Sequence, residues 1–206
     1  VVQIVPHPSG EHFLSHSADG STRLWSVHSD EERNRFNLQD STVFSPTKDR
    51  LYLGNNALVE LDIATSQVTR KFVGHEGPVW ATAVSADGQT LLSSGFDGTI
   101  RLWETASGLE VFRWDDRPCR GLAILSDGAA AVGHCESNTL LMFDLVQGGS
   151  RSLGTSGQGD PYGVALSPGG QFAIASETGG TFIVELATGH QPPIRGAQIS
   201  AGPPRV

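Results

Sequence analysis

Apolar and polar residues alternate along this chain in short runs, and each run stops at residues that favour tight turns. The clearest unit runs from Gly74 to Gly108, GHEGPVWATAVSADGQTLLSSGFDGTIRLWETASG. It opens on a Gly-His pair and alternates through apolar residues to a Ser-Ala-Asp-Gly turn. A second apolar run follows, then Phe-Asp-Gly, then Thr-Ile-Arg-Leu-Trp. Short alternating runs bounded by such turns predict strands joined by hairpins. No stretch offers room for a helix, so the pattern predicts an all-β chain.

The same pattern recurs along the sequence. One marker is the turn after the first run of each unit: HPSG ending at Gly10, SPTK at Lys48, SADG at Gly88, LSDG at Gly128 and SPGG at Gly170. An independent marker is the large apolar residue closing the third run: Trp25, Leu61, Trp103, Phe143 and Val184. Both series step by about 40 residues, the period of four-stranded propeller blades. The expected organisation is five approximate repeats over residues 1–190, at 1–38, 39–74, 75–115, 116–156 and 157–190. A Pro- and Gly-rich tail, 191–206, has room for one edge strand at most. The first repeat begins inside the pattern and leads to a poor fourth strand around Phe36 to Leu38. In the second, Asn55 and Asn56 replace Asp-Gly and are expected to take positive φ in its place. The stretch SRSLGTSGQGD, from Ser150 to Asp160, reads as a linker.

Of the 206 residues, 25 are Gly and only 17% are charged, which suits a turn-rich β fold. The formal net charge is −8, with acidic residues spread along the chain, so neither nucleic acid nor an anionic membrane is expected as a partner. Arg113, Arg117 and Arg120 stand among Asp115 and Asp116 and read as a solvated loop. Cys119 and Cys135 lack metal spacing. A hairpin about Ser126-Asp127-Gly128 would bring them close, and the expectation is two reduced thiols. With no long apolar run and no signal pattern, a soluble, cytoplasmic setting is expected.

Gly74-His75, Asp97-Gly98 and Leu102-Trp103-Glu104 together resemble the WD-repeat β-propeller pattern, with Glu in place of the usual Asp after Trp; Ser17 to Trp25, SADGSTRLW, resembles its second half. The resemblance implies four-stranded antiparallel blades, about five of them here. It leaves three arrangements open: part of a larger, seven-bladed propeller, a closed five-bladed ring, or a split propeller completed by a second chain. The order of preference is as given, because Val1 already lies within a repeat. The resemblance also implies a buried hydrogen-bond network through His75, Ser93, Asp97 and Trp103. The first repeat offers Ser15, Asp19 and Trp25 without a matching histidine, and the remaining repeats are expected to rest on apolar packing alone. A Ser, His and Asp together also invite a hydrolase reading, rejected because the motif commits the serine oxygen to Trp103.

The expected function is a non-catalytic protein–protein interaction scaffold that presents top-face and rim loops to a protein or peptide. Phe96, Trp80 and Pro78 are the candidate contacts by their position in the motif; Ala18 holds the matching place in the first repeat. The competing structural role has Trp80 packed between blades and Phe96 covering the turn. Two alternatives are a propeller enzyme or carbohydrate-binding propeller using the central channel, and a sensory or docking segment of a larger multidomain protein. No catalytic residue, metal ligand or cofactor is expected: His7, His12, His16, His28, His75, His134 and His190 form no metal spacing.

Overall fold

Turn chemistry sets the architecture. In Ser85-Ala86-Asp87-Gly88 the Gly88 N–H donates to the Ser85 carbonyl at 2.8 Å. Gly88 takes φ 69°, a region open to glycine, and Asp87 accepts from the Gln89 N–H at 2.9 Å. The same glycine-to-carbonyl bond closes the corresponding hairpins at Gly10, Gly128 and Gly170. A computed structural model describes residues 3–17, 19–29, 32–37, 41–115, 118–155 and 159–192 of the chain. Ala18, Asp116, Arg117 and residues 193–206 of the tail therefore lie outside the described residues.

The described residues are all-β, with no helix. Blade 1 comprises β1 (Gln3–Pro6), β2 (His12–His16), β3 (Ser21–Ser26) and β4 (Glu32–Asn37). Blade 2 comprises β5 (Thr42–Phe44), β6 (Arg50–Gly54), β7 (Leu58–Asp62) and β8 (Val68–Phe72). Blade 3 comprises β9 (Val79–Val84), β10 (Thr90–Gly95), β11 (Thr99–Glu104) and β12 (Glu110–Asp115). Blade 4 comprises β13 (Cys119–Ile124), β14 (Ala130–Cys135), β15 (Thr139–Asp144) and β16 (Ser150–Thr155). Blade 5 shows three strands, β17 (Pro161–Leu166), β18 (Phe172–Glu177) and β19 (Gly180–Glu185). Each sheet runs in chain order and every pairing is antiparallel.

The core lies between blades. Leu14 and Leu24 of blade 1 cluster with Phe44, Leu51, Leu53 and Leu61 of blade 2. Tyr52, Leu58 and Phe72 meet Val79, Leu91 and Trp103 of blade 3. Further clusters join blades 3 and 4, and blades 4 and 5. No hydrophobic cluster among the described residues joins blade 5 to blade 1. Sheet-on-sheet stacking is thus what buries the facing sides of successive blades. The innermost strands of blades 4 and 5 approach so closely that a Cβ on Gly121 would stand 2.6 Å from the Gly163 Cα.

Four expectations change. Asn55 and Asn56 do not take positive φ; the turn is closed by Asn55 N–H to the Ala57 carbonyl, with the Asn55 side chain accepting from the Asn56 N–H. Left-handed backbone appears instead at Ser137 and Asn138, where the second hairpin of blade 4 turns. The outer strand of blade 1 begins at Glu32, whose carboxylate holds Arg35 beside it. Ser150–Thr155 is a strand rather than a linker, because Leu153 buries itself among Val132, Leu140 and Ala173 while the backbone pairs with β15. Finally, Cys119 and Cys135 are joined in a disulfide, because the β13–β14 register sets them directly opposite each other.

A hydrogen-bonded frame beneath a candidate partner-binding surface

Strand geometry brings His75, Ser93, Asp97 and Trp103 together in blade 3. Ser93 on β10 and Trp103 on β11 are fully buried, and the indole N–H donates to Ser93 Oγ at 2.8 Å. His75, in the loop entering the blade, lies 2.7 Å from the same oxygen through Nε2 and 3.0 Å from Asp97 Oδ2 through Nδ1. With Asp97 ionised and the imidazole neutral, only one tautomer satisfies both contacts: Nδ1–H donates to Asp97 and Nε2 accepts the serine hydroxyl. Every donor from Trp103 to Asp97 then points the same way along the chain. Asp97 also accepts from the backbone N–H groups of Glu76 at 2.9 Å and Thr99 at 3.0 Å, and from the Thr99 hydroxyl.

The electrostatics agree with that tautomer. Burial pushes His75 below its ordinary pKa and outweighs the opposing field and hydrogen bond of Asp97, so the imidazole stays neutral. Burial raises Asp97, but the Glu76 and Thr99 backbone donors, the Thr99 hydroxyl and the neighbouring His75 hold it at about 2. The frame extends beyond these four residues. Arg101, nearly buried, donates to Asp97 at 3.3 Å, to Glu110 at 2.8 Å and to Thr99 at 2.9 Å. It ties the inner turn to the outermost strand.

Blade 1 repeats this frame without the histidine. Trp25 donates to Ser15 at 2.8 Å, Asp19 accepts from the Ser21 backbone and hydroxyl, and Arg23 reaches both Asp19 and Glu32. The expectation that Trp25 has Ser15 and Asp19 nearby but no histidine describes these contacts, though Asp19 serves Ser21 and Arg23. His16 contacts Thr22 at 2.8 Å and, across to blade 2, Thr42 at 3.0 Å.

Above the frame, at the end of the blades carrying the loops from outer to inner strands and from second to third strands, Pro78, Trp80 and Phe96 meet. The Phe96 N–H donates to the Pro78 carbonyl at 2.8 Å. The half-buried Trp80 ring stands edge-on to Phe96, with centroids 5.4 Å apart. Phe96 itself is 63% exposed. Arg120 of blade 4 places its guanidinium 4.2 Å from the Trp80 ring centroid. The solvated-loop expectation for these arginines therefore fails at Arg120, which is stacked. Arg113 is no loop residue either: it lies on β12, where it pairs with its exposed neighbour Asp115.

The register-matched frame in two blades and the period of the five sheets coincide with what sequence comparison finds. Residues 66–104 match the family described as WD domain, G-beta repeat. In that repeat the chain resembles the WD-repeat β-propeller family. It is 24% identical over 205 residues to SIR4-interacting protein SIF2 of Saccharomyces cerevisiae, covering 82% of the chain and 38% of that protein. It is 29% identical over 114 residues to the serine-threonine kinase receptor-associated protein of Gallus gallus, covering 54% of the chain and 31% of the relative. With WD repeat-containing protein 36 of Homo sapiens it shares 37% identity over 70 residues, 33% of the chain and 8% of the relative. The chain thus spans well under half the length of each.

Among WD-repeat features, Thr99, Arg101, Glu110 and Arg120 escape a motif-based reading. Arg120 had a usable signal: Pro118-Cys119-Arg120-Gly121 aligns with Pro78-Val79-Trp80-Ala81, which puts the arginine at the tryptophan's position. Among the described residues no group of three or more His, Cys, Asp or Glu side chains is placed to hold a metal ion.

Proposed function

We propose that this WD-repeat chain is a non-catalytic protein–protein interaction scaffold, with a protein or peptide partner seated on the top face over blade 3. The observation that carries this reading is Phe96, a large apolar side chain left mostly exposed yet held in place by Trp80 and by its backbone bond to Pro78. Ordered aromatic surface of this kind costs little further entropy on binding and serves as an anchor. The relatives lend general support, since the yeast protein is named for its interaction with SIR4 and the chicken protein for association with a receptor.

A catalytic role for Ser93, His75 and Asp97 is disfavoured by their placement. Ser93 is fully buried, and its oxygen already faces the Trp103 indole and the His75 imidazole, so no substrate carbonyl can reach it. The test is affinity capture of partners with the wild-type chain and with Phe96→Ala and Trp80→Ala. Both variants are expected to retain the β circular-dichroism signature and to recover the partner at least about tenfold less well, the loss of one good hot spot. Undiminished recovery by both would remove the top face from the interaction.

A further inference from the structure

Strand register shows why Trp80 and Arg120 meet. In blade 3, Ser94 pairs with Ala81 and Gly95 with Val79, so Trp80 is an extra residue pushed out of the ladder. In blade 4, Cys119 pairs with Cys135 and Gly121 with His134, which leaves Arg120 extra. In blade 5 the same slip leaves out Tyr162, which is 66% exposed. A bulge of this kind re-aims one side chain away from its sheet. Three successive blades therefore turn one residue each out of register at matching positions: an aromatic, a cation and a phenol.

Arg120 is rigidly seated. Its neighbour Cys119 is fixed to Cys135 by the disulfide, the Cys119 N–H donates to Ser94 Oγ of blade 3 at 2.7 Å, and Pro118 accepts from the Glu136 N–H at 3.0 Å. Its guanidinium rests on Trp80 and, among the described residues, pairs with no carboxylate. A guanidinium stacked by its face keeps its N–H edge free, and that edge matches a carboxylate with two parallel hydrogen bonds.

Building on the top-face reading above, we infer that the partner is an extended peptide carrying one Asp or Glu for Arg120 and a large apolar side chain for the Phe96–Trp80 pair. Residues two apart on an extended strand lie about 7 Å from each other on the same face, a spacing suited to a cation and an aromatic edge bridged by one indole ring. The chain's net charge of −8 selects a single carboxylate over an acidic run. It also disfavours a nucleic acid, which needs several cations to displace counterions where the described residues beside Trp80 offer Arg120.

The experiment pans a phage-displayed random dodecapeptide library on the full chain, then measures the selected peptides by fluorescence anisotropy. Enrichment of one Asp or Glu two residues from an aromatic or large aliphatic side chain is expected. Arg120→Gln, at an exposed position, should leave the fold intact by circular dichroism and weaken those peptides by about tenfold, the value of a charge-assisted pair. Replacing the peptide acid by its amide should cost the wild type the same factor and cost Arg120→Gln almost nothing. Peptides that need Trp80 and Phe96 but carry no acid, or that ignore Arg120→Gln, would overturn this inference and leave the top-face reading standing. Peptides indifferent to Trp80→Ala and Phe96→Ala, or no selection at all, would overturn both.

Discussion

At the residue scale the blade 3 frame works because each polar atom has one partner and one proton direction. Ser93 accepts from Trp103 and donates to His75, so its removal leaves two buried groups without their partner. Ser93→Ala should cost about 1–3 kcal/mol, the penalty of orphaned buried polar groups, read as a lower denaturant midpoint at unchanged slope. The frame also sets a pH response. His75 binds its proton less readily folded than unfolded, so stability is full above about pH 6.5, the ordinary histidine value, and falls as pH drops below it. Asp97, held at about 2, adds a second loss only below the ordinary carboxylate range. Melting temperature measured from pH 8 to pH 5 should therefore stay level and then decline below about 6.5, and His75→Gln should lessen that decline without abolishing it, because burial also pushes His12, His16 and His134 down. His75, Ser93, Asp97 and Trp103 are legible in sequence because they sit at fixed offsets of one motif. Arg101 and Glu110 are not, because their contact depends on a register shift between Leu102 and Trp103 that carries Glu110 opposite Trp103.

At the element scale, hairpin turns were readable wherever Gly supplies the left-handed residue, as at Gly88 and Gly128. The Asn55-Asn56 turn is not legible in this way, because Asn can take positive φ without needing to, and the backbone closes without using it. The cysteine pair shows the same limit. Sequence places Cys119 and Cys135 on neighbouring strands, but only the register makes them directly opposed, and only the lack of a side chain at Gly133 leaves space for the bond. A Cβ at Gly133 would stand 2.9 Å from the Cys119 sulfur and 3.0 Å from the Phe143 ring. The bridge closes a loop with a sequence separation of 16, for which chain-entropy arguments give about 3 kcal/mol. Cys119→Ser with Cys135→Ser should lower stability by about that amount. A reducing setting would hold both sulfurs as thiols; because both are fully buried, alkylation is done in denaturant, and it should label the two cysteines only when reductant precedes it.

At the scale of the whole molecule, the chain is a row of sheets whose stability comes from intrinsic blade terms and nearest-neighbour interfaces. Blade 3 combines both. It is packed on each side, against blade 2 through Val79, Leu91 and Trp103 and against blade 4 through Ile100, Leu102 and Trp114, and it alone carries the complete His75 frame. The Trp114 indole further donates across to the Gly148 carbonyl of blade 4 at 2.8 Å. Blade 5 has its described cluster on one side only, and β19 keeps a single buried residue, Val184. Opening free energies should therefore fall away from the middle of the chain rather than follow one global value. Native-state hydrogen exchange should show the slowest amides on β10 and β11 and the fastest on β18 and β19, with Leu91 and Leu92 outlasting Ile174 and Phe182. Because exchange at β10 and β11 reports the frame as well as the packing, Ser93→Ala should speed blade 3 while leaving blade 5 rates unchanged. Uniform exchange across the blades, or acceleration of blade 5 by that substitution, would mean that the chain opens as one cooperative unit and that the central frame stabilises all of it at once.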